Sequence, residues 1–386
     1  MPSKLGMKKL LLINSVCGIR STGRIVVDIA KNYEARGWEV KIAYGREAYV
    51  PDDCRKWAVK IGTAAEVYLH AVLARLWGDH AFGLLRSTFA TKRFIKWADE
   101  WNPDAIWLHN IHGYYINAEL LFRWIKSRNF EMVKWTLHDC WAFTGGCGHF
   151  TMIDCQKWRN GCDKCPSTAV IAKRSIFGTC SKRVLERKRK VFTGVKGLTL
   201  ITPSKWLAEL TRESYLSCYD VEVVHNKIDD SIFKHRASDF KAKNGLQNMY
   251  MILGVACPWT EQKGFSDFMR LSSLLPDGYT IVLVGVDEKQ IPHLPKNIVG
   301  IRRTESAIEL AEIYSAADVF FNPTKEDTYP TVNLEARACG CKIVTYDTGG
   351  CAETVEGYDK AIVLRGAEKT PEGFRRILES IEERSC

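Results

Sequence analysis

Short apolar runs alternate with helix-like segments through both halves of the chain, and this alternation limits the fold more than any single motif. It argues for α/β domains built on parallel sheets. In the first half, strands are expected near residues 8–13, 39–43, 105–109, 133–137 and 198–201. In the second they fall near 221–224, 250–255, 280–284, 297–301, 319–321 and 342–345. Residues 64–98 read as helical with a break near Gly78 to Gly83. At the end of the chain, Phe374, Ile377, Leu378 and Ile381 recur at helical spacing and form one docking face.

At 386 residues the chain is long for one core, so two domains are expected. The boundary is placed after Ser204, giving residues 1–204, residues 205–366 and a terminal helix over 367–386. No apolar run approaches the roughly 18 residues that span a bilayer. Met7-Lys-Lys-Leu-Leu-Leu-Ile-Asn14 reads as a first buried strand rather than a signal peptide, which points to the cytoplasm. The formal charge of +10 is concentrated in Lys182-Arg183, Arg187-Lys-Arg-Lys190 and Lys196. Such a patch suits solvation, the anionic inner face of a membrane, or nucleic acid.

Residues 319–353 hold the main functional signal. A buried strand is followed by a loop, a helix entered at Pro330 and left at Gly340, and a second strand. Asp327 falls in the loop at the strand's carboxyl end, and Glu335, separated from it by seven residues, falls inside the helix. In an open parallel sheet ligands bind at that edge. Carboxylates accept hydroxyl hydrogen bonds, while the N–H groups at a helix start favour phosphate, so the pair suits a nucleotide sugar.

The segment resembles the nucleotide-sugar half of family 4 retaining glycosyltransferases of the GT-B fold, whose acids are spaced E-x7-E. The resemblance implies two Rossmann-like domains facing a central cleft, with a C-terminal helix docking back. It further implies that the first acid contacts the transferred sugar and that Glu335 holds the ribose diol. Asp327 has the right spacing and Glu326 is one position early. Thr328, Tyr329, Pro330 and Thr331 complete the donor site. Lys263, in the loop after the 250–255 strand, would reach the diphosphate. The arginine that family members carry just before Lys-Gly is absent from residues 254–263. His225-Asn-Lys-Ile-Asp-Asp-Ser-Ile-Phe233 resembles the family's Asn-Gly-Ile-Asp turn, with Lys227 in place of glycine.

In the first half, Gly18-Ile-Arg-Ser-Thr-Gly23-Arg24 follows the opening strand as a glycine loop for acceptor or diphosphate. Two further strands end in His109 and His138, with His112 close behind His109. The resemblance sets His138 beside the transferred sugar, with His109 as the second choice for that place; His109, His112, Gly23 and Arg24 are read as cleft residues on the acceptor side, the glycine loop being equally a structural turn. Same-face attack needs no dedicated base, and no Asp-x-Asp pair is present, so metal-independent catalysis without a cofactor is expected.

Cys147, Cys155, Cys162 and Cys165 lie within nineteen residues of an insertion over 140–170. Their spacing suits a structural zinc, with free thiols and disulfides as alternatives. The insertion resembles a subgroup acting in capsular and colanic-acid-like polysaccharide synthesis. The expected activity is hexose transfer from a UDP- or GDP-sugar to a lipid-linked glycan, without nucleic acid as a partner. A zinc-containing nucleic-acid-binding protein and an inactive nucleotide-sugar scaffold are the alternatives.

Overall fold

The computed structural model describes residues 7–77, 86–166 and 181–383. The chain divides into two compact units, Met1–Val224 and His225–Cys386. Among the described residues, the first unit contains β1 (Lys9–Ile13), β2 (Glu39–Tyr44), β3 (Ala58–Lys60), β4 (Ala105–Leu108), β5 (Met132–Thr136), β6 (Leu198–Thr202) and β7 (Asp220–Val223). These form one parallel sheet in the order β3-β2-β1-β4-β5-β6-β7. Its helices are α1 (Arg20–Glu34), α2 (Ala64–Trp77), α3 (Arg86–Trp101), α4 (Ala118–Lys126), α5 (Ser181–Phe192) and α6 (Lys205–Arg212).

The second unit repeats the plan with β8 (Tyr250–Val255), β9 (Tyr279–Val284), β10 (Ile298–Ile301), β11 (Val319–Asn322), β12 (Ile343–Tyr346) and β13 (Ala361–Leu364). Their order is β10-β9-β8-β11-β12-β13, again parallel. Around them lie α7 (Phe240–Lys243), α8 (Phe265–Ser272), α9 (Ala307–Ala316), α10 (Thr331–Ala338), α11 (Cys351–Thr354) and α12 (Pro371–Glu383). Both sheets are Rossmann-like and reverse direction beside their first strand, which opens a crevice at the carboxyl ends.

Unbroken apolar strands follow from burial on both faces. Leu10 and Leu12 of β1 enter one core with Val26 and Ala30 of α1, while Leu11 and Ile13 enter another with Phe94 and Phe122. In β8, Ile252 faces one core, and Met251 and Leu253 face the other. Helix α12 docks on its own unit, where Phe374 stacks on Phe321 with ring centroids 4.1 Å apart and Arg270 pairs with Glu372 at 2.9 Å.

The division between units comes after Val224 rather than after Ser204. The 221–224 run, expected to open the second domain, is β7, which pairs with β6 at the edge of the first sheet. Ser204 instead caps α6, its hydroxyl accepting from the Leu207 amide at 3.2 Å. Strands β3 and β13 are short edge strands that the apolar pattern did not reveal. The expected break at Gly78 to Gly83 and the last part of the 140–170 insertion lie outside the described residues. Among the described residues no helix is long and apolar enough to cross a membrane.

Candidate functional site

The acid pair is mounted where β11 gives way to α10. Pro330 enters α10 with extended backbone and no side-chain cap, so no side chain competes for the first N–H groups of the helix. Gly340, at φ +79, follows the helix end. One strand away, Lys263 closes the short turn Glu261–Lys263. Gly264 then takes φ +77 so closely against the acid loop that a Cβ would meet the Pro323 carbonyl oxygen at 2.6 Å. The Lys325 amide and the Thr324 hydroxyl both donate to the Gln262 carbonyl, at 2.8 and 3.1 Å. The two loops are thereby stapled together, which brings Lys263 Nζ to 2.6 Å from Asp327 Oδ2.

Burial alone would lower the Lys263 pKa, but the neighbouring Asp327 carboxylate outweighs it and holds the ammonium above the ordinary lysine range. Asp327 Oδ1 accepts the Tyr329 amide at 3.1 Å. Glu326 is buried, and of the two acids Asp327 is the one bonded to Lys263. Glu335 is also buried on α10 and accepts a hydrogen bond from the Tyr314 hydroxyl at 3.1 Å. Burial, with Glu335 adding to it, pushes that phenol well above its ordinary value. Thr328, Tyr329 and Pro330 are buried in the same loop and Thr331 begins the helix, with the Tyr329 ring stacked on His225 at 4.8 Å. The expected Asn-Lys-Ile-Asp turn is structural: Asp229 accepts the Phe233 amide at 2.8 Å, and Lys227 has no positive φ.

Sequence reasoning missed two supports of this site. Tyr314 comes from α9, remote in sequence, and only tertiary structure brings it to Glu335. Asn333, fully buried on α10, bonds Asn322 at the end of β11 and Thr354 of α11, both at 2.8 Å. A buried polar group needs such partners. The signal for it was an asparagine two positions before Glu335.

In the first unit the strand-end histidines gather as expected. His109 Nδ1 and His138 Nε2 lie 3.0 Å apart with their rings stacked, and the Trp107 indole also stacks on His109. His112 Nε2 contacts Asp139 Oδ2 at 3.0 Å, and Asp139 Oδ1 accepts the Trp141 amide at 2.8 Å. The three histidines and Asp139 line one crevice with Asn110, Thr136 and Trp141. Burial, helped by His138, drives the His109 pKa well below its ordinary value. Burial likewise lowers His138 to about 4, with His112 adding to the shift and Asp139 opposing it. For Asp139 burial acts upward, but His112, by charge and hydrogen bond, leads the groups that hold the carboxyl down at about 2.

Gly23 and Arg24 stand inside α1 rather than in a loop. A Cβ on Gly23 would meet Val16 at 3.1 Å, so this glycine packs the helix start against the β1 loop, while Arg24 is exposed. Neither lines the histidine crevice. The basic stretch is partly consumed by the fold, since Arg187 pairs with Glu119 at 2.6 Å and Lys188 is fully buried. Cys147 lies within electrostatic reach of Cys155, Cys162 and Cys165. Among the described residues, however, no three His, Cys, Asp or Glu side chains converge as a ready metal-holding set.

Residues 250–381 match the family of glycosyl transferases group 1. Over 263 residues the chain is 24% identical to an Escherichia coli (strain K12) protein described as a colanic acid biosynthesis glycosyl transferase, WcaC, a match covering 66% of this chain and 62% of that protein. Over 102 residues it is 29% identical to the N,N'-diacetylbacillosaminyl-diphospho-undecaprenol alpha-1,3-N-acetylgalactosaminyltransferase of Campylobacter jejuni, covering 25% of this chain and 27% of that one. Each match thus spans less than two thirds of the relative's length. Among solved structures, sucrose-phosphate synthase from Thermosynechococcus elongatus superposes with a TM-score of 0.69 at 14% identity, over 96% of this chain and 90% of that one. Anabaena HepE in complex with UDP-glucose superposes with a TM-score of 0.61 at 14% identity, over 98% and 90%. The chain is therefore built from two Rossmann-like units of the GT-B fold, and residues 250–381 of its second unit match the glycosyl transferases group 1 family.

Proposed function

We propose that the chain is a retaining glycosyltransferase that moves a hexose from a nucleotide diphosphate sugar to a lipid-linked glycan during surface polysaccharide synthesis. One observation carries this reading: Lys263, Asp327 and Glu335 are assembled at the carboxyl edge of the second sheet, within the residues that match the glycosyl transferases. The diphosphate displaces Asp327 as the partner of Lys263 and lies against the uncapped start of α10. Glu335 accepts the ribose diol, and Asp327, once released, accepts a hydroxyl of the sugar. In the first unit His138 is held neutral at pH 7 by burial, the state in which an imidazole can both donate and accept a hydrogen bond with a sugar hydroxyl.

The anomeric carbon–phosphate oxygen bond breaks while the acceptor oxygen bonds to the same face, and the acceptor's proton passes to the departing phosphate. Stabilising that phosphate is the main task of the protein, and Lys263 supplies it without a metal. The names of the relatives support the acceptor class: one belongs to colanic acid synthesis and another acts on a diphospho-undecaprenol-linked sugar. Work at the cytoplasmic face of a membrane fits the basic residues of α5 that stay exposed, Lys182, Arg183, Arg189 and Lys190.

A thermal-shift screen against UDP- and GDP-sugars tests donor binding, since a ligand bound only by the folded state raises apparent stability. Transfer to a polyprenyl-diphosphate glycan in EDTA, with the product's anomeric configuration read by NMR, tests the rest. An inverted product, or activity abolished by EDTA, overturns the retaining or the metal-independent part. The Lys263–Asp327 pair and the absence of an arginine from residues 254–263 favour a second reading, a scaffold that binds nucleotide sugar without turnover. Stabilisation by a donor with no product from any acceptor would select it.

A further inference from the structure

His109 is the buried member of the crevice trio, 1% exposed, while His112 and His138 are half-buried. Its backbone is held from both sides: the amide donates to the Ile13 carbonyl at 2.8 Å, and the carbonyl accepts the Trp135 indole N–H at 3.1 Å. The Trp107 indole packs on its ring with centroids 5.8 Å apart. His109 therefore meets His138 from a set position. Its Nδ1 lies 3.0 Å from His138 Nε2, with the two ring planes inclined by 21°. Its other ring nitrogen, Nε2, is buried and has no hydrogen-bond partner among the described residues.

A hydrogen bond between two imidazoles needs one N–H and one lone pair, so the contact admits two arrangements. Burial keeps both rings neutral, which gives His109 a single proton to place. In one arrangement His109 donates from Nδ1 and leaves Nε2 as a bare lone pair. In the other His138 donates from Nε2, and the proton of His109 must sit on its own Nε2. That second arrangement buries an N–H without an acceptor. Orphaned buried N–H groups on the backbone are rarer in proteins than under-used carbonyls, and the same preference selects the first arrangement here.

We infer that His109 is a positioning residue that holds His138 as the Nδ1–H tautomer, with His138 Nε2 accepting from His109 Nδ1. Which nitrogen of a histidine is protonated is set by the bond that the other nitrogen makes. Any hydrogen bond from His138 to an oxygen ligand is then a donated one, because its lone pair is occupied by His109. This narrows the contact with a sugar hydroxyl to donation, and that consequence rests on the function proposed above. The crevice holds the opposite case beside it. His112 Nε2 faces Asp139 Oδ2 at 3.0 Å, and a carboxyl held down at about 2 can only accept, so His112 is protonated on Nε2.

Long-range proton–nitrogen correlation spectra of the full chain, labelled with nitrogen-15 at histidine and recorded near neutral pH, report which ring nitrogens carry protons. His138, assigned by its disappearance in His138→Gln, should show a protonated Nδ1 and a bare Nε2, and His112 should show a protonated Nε2. A protonated Nε2 on neutral His138 would overturn the inference, and the wild-type spectrum alone decides this. His109→Phe keeps a buried ring and removes the donor, so His138 should move toward the Nε2–H form that free histidine favours in water, while His112 does not change. A His138 tautomer unaltered in this variant would overturn the role of His109. The variant should also lower kcat/KM for transfer roughly threefold to tenfold, the size of one hydrogen bond, and bind UDP or GDP alone as the wild type does. An equal loss in nucleotide binding would mark general damage and overturn the positioning role. Absence of transfer by the wild-type chain would instead count against the proposed function, and the tautomer would still be decided by the spectra of the free protein.

Discussion

The two units share one sheet plan yet place opposite chemistry at its carboxyl edge. In the second unit the edge carries fixed charge, with a lysine–aspartate pair, two buried glutamates and an uncapped helix start. In the first unit the edge is dominated by stacked rings, with His109 and His138 held neutral by burial, beside the Asp139 carboxylate that pairs with His112. The difference teaches that the fold supplies only the address and that the loops decide what is bound there. Fixed charges suit a diphosphate and a ribose, whereas neutral hydrogen-bonding rings suit the hydroxyls of a glycan.

The largest expected effect comes from removing the cation of the charged edge. Lys263→Ala should lower kcat/KM for transfer about 10²- to 10³-fold, the usual consequence of losing a group that stabilises developing charge. A rate within a few-fold of wild type would remove Lys263 from the phosphate site. Under the same assay, Asp327→Asn should slow transfer more than Glu326→Gln, because Asp327 is the acid bonded to Lys263. The reverse ranking would assign the first acid to Glu326. Glu335→Ala should follow at about 1.5–3 kcal/mol in donor binding, the range for a hydrogen bond to a charged group. A competition assay with the nucleotide alone reads that loss without requiring turnover.

How much of this was legible in the sequence differs between the two edges. Residues 319–345 read correctly as strand, acid loop, helix and strand because each signal is local: an apolar run, a proline, a glycine and a second run. The pairing of His109 with His138 was legible only as two strands ending alike, since their contact depends on β4 lying beside β5. Gly23 and Arg24 misled because a glycine motif after a strand looks the same whether the helix begins before or after it. The Lys263–Asp327 bond and the Tyr314–Glu335 bond join residues far apart in sequence, and nothing local announces either. Strand β7 was assigned to the wrong unit for a related reason: a strand's sequence does not say which sheet it pairs with.

The comparison can also be sharpened with pH. In the first unit His109 and His138 bind protons less readily when folded than when unfolded. The His138 contribution to stability is complete above about pH 6.5 and is lost as pH falls toward about 4, and the His109 contribution is lost in the same direction. Because His138 is partly exposed, about 2 kcal/mol is a reasonable size for its share of that loss. In the second unit Lys263 binds its proton more readily when folded, so its contribution is present below pH 10.5 and fades as pH rises through its higher folded value. Hydrogen exchange should therefore show the first unit opening more easily at pH 5 than at pH 7, with Lys263 giving the second unit no such weakening. His138→Gln should flatten the acid response of the first unit. A wild-type response that persists unchanged in this variant would break the contrast.

The smallest effect tests whether the charged edge is positioned as well as charged. Tyr314 reaches Glu335 from a different helix, and its hydroxyl is the donor that fixes Glu335 Oε2. Tyr314→Phe removes that one bond and leaves a ring of nearly the same volume in a fully buried place, so about 1 kcal/mol of stability should be lost. If the bond only stabilises the core, thermal stability falls and donor affinity does not change. If it aims Glu335 at the ribose diol, KM for the nucleotide sugar should also rise about fivefold while kcat stays within twofold, because uniform binding is lost rather than transition-state binding. An unchanged KM would take Tyr314 out of the aiming of Glu335, and the charged edge would then owe its geometry to α10 and to the Gly264 staple more than to the ring beneath it.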